Sequence, residues 1–216
     1  MAEPPQQLNM KPRRADANPW RDGARFLKTL LGNPQETGAV SPSGRVLARA
    51  MARAVPFAND GLVIELGPGT GPVTRALIES GVAASRLVLV EYDGDFCQLL
   101  RERFPGVLVV QGDAYRLVET LADCRGRRVD AVVSSLPLLN QPPARRNGLF
   151  DDAFALMGSD GVFVQFTYGP NSPIPLDHCQ PRYLARASRR VWRNIPPARV
   201  WTYRTAPSAA GQEMQV

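Results

Sequence analysis

Glu65-Leu66-Gly67-Pro68-Gly69-Thr70-Gly71 is the stretch of this chain whose residue types and spacing most plainly suit chemistry. It grows out of a short apolar run, LVIEL, and leads into a helical pattern. Glycines there let the backbone pass close to a ligand between a strand end and a helix N-terminus. The dinucleotide fingerprint G-x-G-x-x-G would need glycine where Pro72 stands, and no Gly-Lys-Ser/Thr follows to make a P-loop. With no phosphate to cradle, the tight loop suits a compact amino-acid moiety. Twenty residues beyond Gly71 a second apolar run, LVLVE, ends in Glu91, where a carboxylate can accept both hydroxyls of a ribose. A third run, VLVVQ, leads into Gly112-Asp113-Ala114, where the Asp113 carboxylate can accept from the exocyclic amine of adenine. An amino-acid site, a ribose site and an adenine site in this order are the parts of S-adenosylmethionine, whose demethylated product is S-adenosylhomocysteine.

These groups need strand tips to hold them. Strands are expected at 62–66, 87–91, 107–111, 129–134 and 161–167, alternating with helices near 71–80, 94–104, 115–124 and 143–157. Short apolar strands alternating with helices predict an α/β fold with a doubly wound, mostly parallel sheet. RRVWRN (189–194) and ARVWTYR (198–204), separated by Ile195-Pro196-Pro197, read as a closing antiparallel pair.

The chain of 216 residues is 44% apolar and 21% charged, an ordinary globular composition that suffices for one sizeable domain. Three cysteines without CxxC spacing exclude a disulfide framework, and no metal site is expected. The N-terminus lacks the apolar core of a signal peptide and no run is long enough to span a bilayer, so a cytoplasmic setting is expected. The net charge of +6 is segregated. Residues 1–55 carry 9 basic and 4 acidic groups, 56–179 carry 10 and 15, and 180–216 carry 7 and 1. Two basic ends around an acidic middle imply a polyanionic partner that meets the ends.

Residues 1–19 are polar and proline-rich, and are expected to be mobile. From 20 to 31, Trp20, Phe26, Leu27, Leu30 and Leu31 share one arc of a helix, and Arg21, Arg25 and Lys28 the other. A second helix is expected from Ser41-Pro42 to about Val55, with Arg45, Arg49 and Arg53 recurring on one face. The expected organisation is therefore amphipathic helices over 20–56 as a membrane or substrate lid, a catalytic domain over 57–206, and a mobile tail over 207–216.

The constellation resembles the class I S-adenosylmethionine-dependent methyltransferases over about residues 60–205. That resemblance implies a Rossmann-like seven-stranded sheet with one reversed strand. It places Glu65, Gly67, Gly69 and Gly71 around the methionine end, Glu91 at the ribose, and Asp113 with Ala114 at the adenine, with Thr70, Tyr92, Gly112 and Ser135 completing the set. Ser134-Ser135-Leu136-Pro137-Leu138 stands where such enzymes face the methyl acceptor. Two relatives share the ELGPGTG loop. The ribosomal RNA adenine dimethyltransferases carry Asn-Leu-Pro-Tyr after strand four, whose aromatic stacks on a flipped base; here both that ring and the Asn are missing. The bacterial phospholipid N-methyltransferases are similar along nearly the whole chain after residue 20: Phe26-Leu27-Lys28 through Asn33-Pro34, then Thr37-Gly38-Ala39-Val40-Ser41-Pro42-Ser43, ELGPGTGPVT, the segment 134–138, and Tyr168-Gly169-Pro170.

This second resemblance implies stepwise methylation of phosphatidylethanolamine and its mono- and dimethyl forms to phosphatidylcholine. The enzyme would sit at the inner face of the cytoplasmic membrane, bound through anionic lipids. An interfacial helix at 20–31 and phosphate contacts from Arg45 and Arg49 fit that partner, and nucleic acid does not enter this reading. An RNA N6-adenine methyltransferase and a non-enzymatic membrane-remodelling module are the alternatives. Methyl transfer from a sulfonium is an in-line displacement, and the acceptor amine, with a pKa of about 10, must be neutral to attack. Tyr168 can face the amine and hold a quaternary ammonium by cation–π contact. His178, the one histidine, and Asn140 are the other catalytic candidates.

Overall fold

The apolar runs become strands because they can be buried on both faces. In the computed structural model, which describes residues 42–56, 60–194 and 196–207, five of them lie parallel: β1 (Leu62–Leu66), β2 (Leu87–Glu91), β3 (Leu108–Gln111), β4 (Val129–Ser134) and β5 (Val162–Thr167). Every residue of β1, β2 and β4 is buried, so these strands read as continuous hydrophobic runs. Two more strands, β6 (Tyr183–Ala187) and β7 (Arg199–Thr205), complete a seven-stranded sheet in the order β3-β2-β1-β4-β5-β7-β6. β7 is antiparallel to both of its neighbours and is the one reversed strand. This is the Rossmann-like class I methyltransferase fold that the sequence implied.

Helices cover both faces: α1 (Pro42–Ala52), α2 (Pro72–Glu79), α3 (Gly94–Arg103), α4 (Leu117–Thr120), α5 (Pro143–Met157) and α6 (Leu176–Cys179). On one face Leu62, Ile64, Leu66 and Val132 pack with Leu117, Phe150, Phe154, Phe163 and Tyr203. On the other, Val63, Val133 and Val164 pack with Leu77 and with Leu47, Ala48, Met51 and Ala52 of α1. Each of the larger aliphatic and phenylalanine side chains contributes about 1.5–3 kcal/mol by burial. The helix that begins at Pro42 is thus part of the domain's own core, although the sequence reading grouped it with the lid. Arg45, Arg49 and Arg53 stay on its exposed side, Arg49 lying 3.7 Å from Glu79.

Two expected elements differ. The stretch 115–124 forms only the short α4, flanked by 3-10 turns at Ala114–Arg116 and Ala122–Cys124. The closing strand pair is real but its first member is Tyr183–Ala187, not Arg189–Asn194. Tyr183 buries its side chain against the core, whereas Arg189–Asn194 makes a single bridge, Val191 to Ala198. Pro196 and Pro197 lack the N–H that would extend the ladder.

At the start of β4 the register slips between Leu62 and Val63, and Asp130 is the extra residue. Its buried carboxylate accepts from Gly61 N (2.7 Å), Arg86 Nη2 (3.1 Å) and Arg128 Nε (2.9 Å).

Candidate active site

Parallel strands present all their C-terminal ends on one edge, and the sequence-predicted cofactor residues gather there. After β1 the chain turns through Gly67, Gly69 and Gly71, all at positive φ (64°, 56° and 83°). At Gly67 a Cβ would also stand 2.6 Å from Leu136 Cδ2, so the turn after β1 and the segment after β4 meet only because that side chain is missing. At Gly69 a Cβ would meet nothing within 4 Å, and the loop faces open space there. Pro72 then opens α2, its missing N–H costing nothing at the first helical position.

Glu65 is fully buried beneath this loop. Thr74, on the first turn of α2, donates its hydroxyl to Glu65 Oε2 at 2.6 Å, and Oε1 has no partner. Burial pushes the carboxyl up to about 8; the Thr74 hydrogen bond opposes this and the charge of Glu91 adds to it. The register pairs Glu65 with Val133, so Ser135 comes to the same sheet face, one strand over. Ser135 Oγ is buried and also lacks a partner. Orphaned acceptors at the end of a glycine turn are what an amino-acid ammonium would satisfy.

Glu91 ends β2. It accepts from three backbone amides: Gly69 (3.0 Å, to Oε2), Tyr92 (2.9 Å, to Oε1) and Asp93 (3.0 Å, to Oε1). It therefore ties the glycine loop to the second strand tip. Burial raises its pKa and these amides oppose the rise. Each oxygen keeps acceptor capacity for a diol. Tyr92 beside it is exposed. Beyond β3, Asp113 accepts from Tyr115 N at 2.8 Å and lies 3.9 Å from Arg145 Nη2. The Arg145 guanidinium sits 4.3 Å from the Tyr115 ring centroid. Gly112 lies against Thr120 and Ala114 is buried. Thr70 is buried, its carbonyl accepting from Arg103 Nη1 at 2.7 Å.

The segments after β4 and β5 meet further along the same edge. Gln165, buried on β5, donates Nε2 to Leu136 O (2.9 Å) and Phe166 O (2.8 Å), fixing the chain after β4. Leu139 is 48% exposed, and Leu139 Cδ1 closes on Gly169 of the segment after β5. Tyr168 is half-buried, its ring edge-on to Phe166 at 5.4 Å. Asn140 is exposed in the turn that ends Leu138–Asn140.

His178 is placed elsewhere. Its Nε2 pairs with Asp151 Oδ1 at 2.9 Å and its ring lies edge-on to Phe150, whose own neighbours include Phe163 near the start of β5. His178 lies on α6 and packs beside the middle of α5, on Asp151 and Phe150, rather than with the residues gathered around the glycine loop. Trp20, Arg21, Arg25, Phe26, Leu27, Lys28, Leu30 and Leu31 lie outside the described residues. Sequence reasoning missed Thr74, Arg145 and Gln165. A Thr two residues into α2 after a glycine turn is a readable signal; the other two act across the fold and leave no local pattern.

Over 181 residues the chain is 33% identical to an ornithine lipid N-methyltransferase of Singulisphaera acidiphila, a match spanning 80% of this chain and 91% of that enzyme. The chain belongs to the family of that enzyme. It is a class I S-adenosylmethionine-dependent methyltransferase, and S-adenosylmethionine is its cofactor. The profile described as ribosomal RNA adenine dimethylase matches this methyltransferase over residues 44–131, from α1 into β4. A ribosomal RNA small subunit methyltransferase A of a Synechococcus sp. is 50% identical over 58 residues, 26% of this chain and 20% of that enzyme. This methyltransferase thus matches only about a fifth of that RNA enzyme's length. In fold it is similar to a Burkholderia thailandensis 1,6-didemethyltoxoflavin-N1-methyltransferase solved with S-adenosylhomocysteine. That similarity has a TM-score of 0.62 at 17% identity and covers 91% of this chain and 92% of that one. Among the described residues no helix is long and apolar enough to cross a membrane.

Proposed function

We propose that this methyltransferase methylates the amine of a membrane-lipid headgroup, with phosphatidylethanolamine and its partly methylated forms as substrates and phosphatidylcholine as the product. One observation carries this reading. Similarity to a lipid N-methyltransferase runs through 80% of the chain, whereas the RNA-methylase profile ends at residue 131, before the segment that faces the acceptor. That segment, Ser134-Ser135-Leu136-Pro137-Leu138, offers no aromatic ring to stack on a flipped base, and it leads to the exposed Leu139.

The cofactor supplies an electrophilic methyl on a sulfonium. Glu65, Gly67, Gly69, Thr70, Gly71 and Ser135 hold its amino-acid end, Glu91 and Tyr92 its ribose, and Gly112, Asp113 and Ala114 its adenine. Gln165 fixes Leu136 and so shapes the acceptor mouth. Tyr168 and Leu139 line that mouth, and their apolar surfaces favour an amine that has shed its proton. Burial holds the Tyr168 phenol above its ordinary pKa, so it stays neutral and offers a ring face and a hydrogen bond rather than a base. Asn140 lies on the rim, within the same segment. The amphipathic sequence at 20–31 and the Arg45 and Arg49 face of α1 supply contact with an anionic leaflet.

Purified protein and radiolabelled methyl donor are offered vesicles of phosphatidylethanolamine, vesicles of ornithine lipid, and ribosomal RNA. Label in the phosphatidylethanolamine headgroup is expected. Label in ornithine lipid alone would move the substrate to that amine, and label in RNA alone would overturn the lipid reading.

A further inference from the structure

Residues 188–198 join β6 to β7 as a hairpin. Since Thr167 at the end of β5 pairs with Arg199 and Ala187 pairs with Trp201, both feet of the hairpin stand on the edge that carries the glycine loop and Glu91. It is firmly built. Ser188 N donates to Val200 O at 2.8 Å, Val191 N to Ala198 O at 2.7 Å, and Asn194 Nδ2 to Pro196 O at 2.7 Å. Asn194 is itself buried, so the base of the hairpin is seated on the domain. At its tip Trp192 is 71% exposed, the most exposed large hydrophobic side chain among the described residues. Arg189 and Arg193 are exposed on either side, and the Arg190 guanidinium lies 5.8 Å from the Trp192 ring centroid. From 180 to 207 the chain has seven Arg and no Asp or Glu.

We infer that the hairpin Arg189–Arg193 is a membrane-docking element that seats the acceptor mouth on an anionic bilayer, with Trp192 in the headgroup layer and the arginines on lipid phosphates. The inference rests on the lipid-amine reading of the site. An indole displayed to solvent belongs at an interface where one end is apolar and the other wet, and basic side chains around it answer the charge of the leaflet. Charge segregation in the sequence called for a polyanion at the C-terminal end, and the fold brings Arg189, Arg190 and Arg193 of that end to the edge that carries the site. A bilayer rather than RNA is favoured because the exposed apolar surface is a single ring on a hairpin tip, and no run of aromatic platforms for successive bases accompanies it among the described residues.

The full-length chain is compared with Trp192→Ala and with the triple variant Arg189→Gln/Arg190→Gln/Arg193→Gln, by flotation with phosphatidylethanolamine vesicles that contain phosphatidylglycerol. The triple variant is expected to bind about a hundredfold more weakly and Trp192→Ala about tenfold. Calorimetric affinity for S-adenosylmethionine, and methylation of lysophosphatidylethanolamine dispersed as monomers, are expected to stay within twofold of the parent. Vesicle binding unchanged in both variants overturns the docking role. A parent that ignores vesicles but loses binding to an RNA oligonucleotide in the variants overturns the lipid partner. If the triple variant fails to bind cofactor, and so to fold, Trp192→Ala decides alone, since its side chain lies outside the core. A parent that floats yet methylates no lipid amine would sink the proposed function and leave the docking result standing.

Discussion

Two buried carboxylates sit at opposite edges of the same sheet and are treated differently. Asp130, at the edge where the strands begin, has three donors, and Arg86 additionally bonds Gly61 O at 2.8 Å. Every polar demand there is met from within the chain, so the group is structural. Glu65, at the edge where the strands end, has one donor and an empty oxygen, and the nearby Ser135 hydroxyl is empty too. Burial without full partnering costs free energy that folding alone does not repay. The contrast teaches where this protein leaves room for a ligand: one edge is closed by ion pairs, the other kept open by a glycine turn and unfilled acceptors.

Breaking the closed edge has the largest expected effect. Asp130→Ala strands Gly61 N–H and the partly buried Arg86, and the loss is about 3–5 kcal/mol, with Tm falling on the order of 10 °C. Affinity for the cofactor in the surviving folded protein is expected to be unchanged. A Tm shift of a degree or less in a thermal melt would show that the cluster is not a keystone. Next comes Glu91→Ala, which frees the Gly69, Tyr92 and Asp93 amides and loosens the glycine loop from β2. Cofactor affinity by calorimetry is expected to fall tenfold or more, about 1.4 kcal/mol. An unaltered dissociation constant would remove Glu91 from the site.

Glu65→Gln sharpens the contrast through pH. With its pKa at about 8 against an ordinary 4.5, the Glu65 carboxyl is mostly neutral at pH 7 in the free protein. Its contribution to stability is complete below pH 4.5 and is lost as pH rises through 8. An ammonium beside Oε1 would favour the carboxylate, so cofactor binding at pH 7 is expected to release a proton and to tighten as pH rises towards 8. Calorimetry in buffers of different ionisation enthalpy reads that proton directly. Glu65→Gln is expected to abolish the release, weaken binding severalfold at pH 8, and leave the Tm equal or higher. Proton release that persists in Glu65→Gln would assign it to another group.

The open edge was the more legible of the two. Glycine spacing, the acid ending β2 and the Asp after β3 are local patterns, and the strands bearing them are buried on both faces, so β1, β2 and β4 fall where their apolar runs do. The Asp130 cluster joins residues up to 69 apart, and only the bulge makes it. β6 escaped because Tyr183–Ala187 is an edge strand with two alanines and an arginine, held by its ladder to β7. The hairpin after it, where Val191 and Trp192 echo the Val200-Trp201 of β7, carried the stronger strand signal, and its Trp192 is instead exposed. His178 misled because its residue type is chemical while its position, beside Asp151 and Phe150, is not.

Tyr168 separates two uses of one side chain, its ring and its hydroxyl. Its ring lies edge-on to Phe166, and burial keeps its hydroxyl protonated. If the ring faces the substrate ammonium, Tyr168→Phe keeps that cation–π contact, and kcat/KM on the dimethylated lipid is expected to drop by no more than about threefold. Tyr168→Leu removes the quadrupole while keeping apolar bulk. The loss should then be about 3- to 30-fold, the 0.5–2 kcal/mol of such a contact, and greatest for the last methyl, whose product cannot shed its charge. Equal losses in Phe and Leu would mean that the hydroxyl matters and the ring does not. Equal activity in all three would make Tyr168 a rim residue, leaving Leu139 and Leu136 to shape the mouth alone.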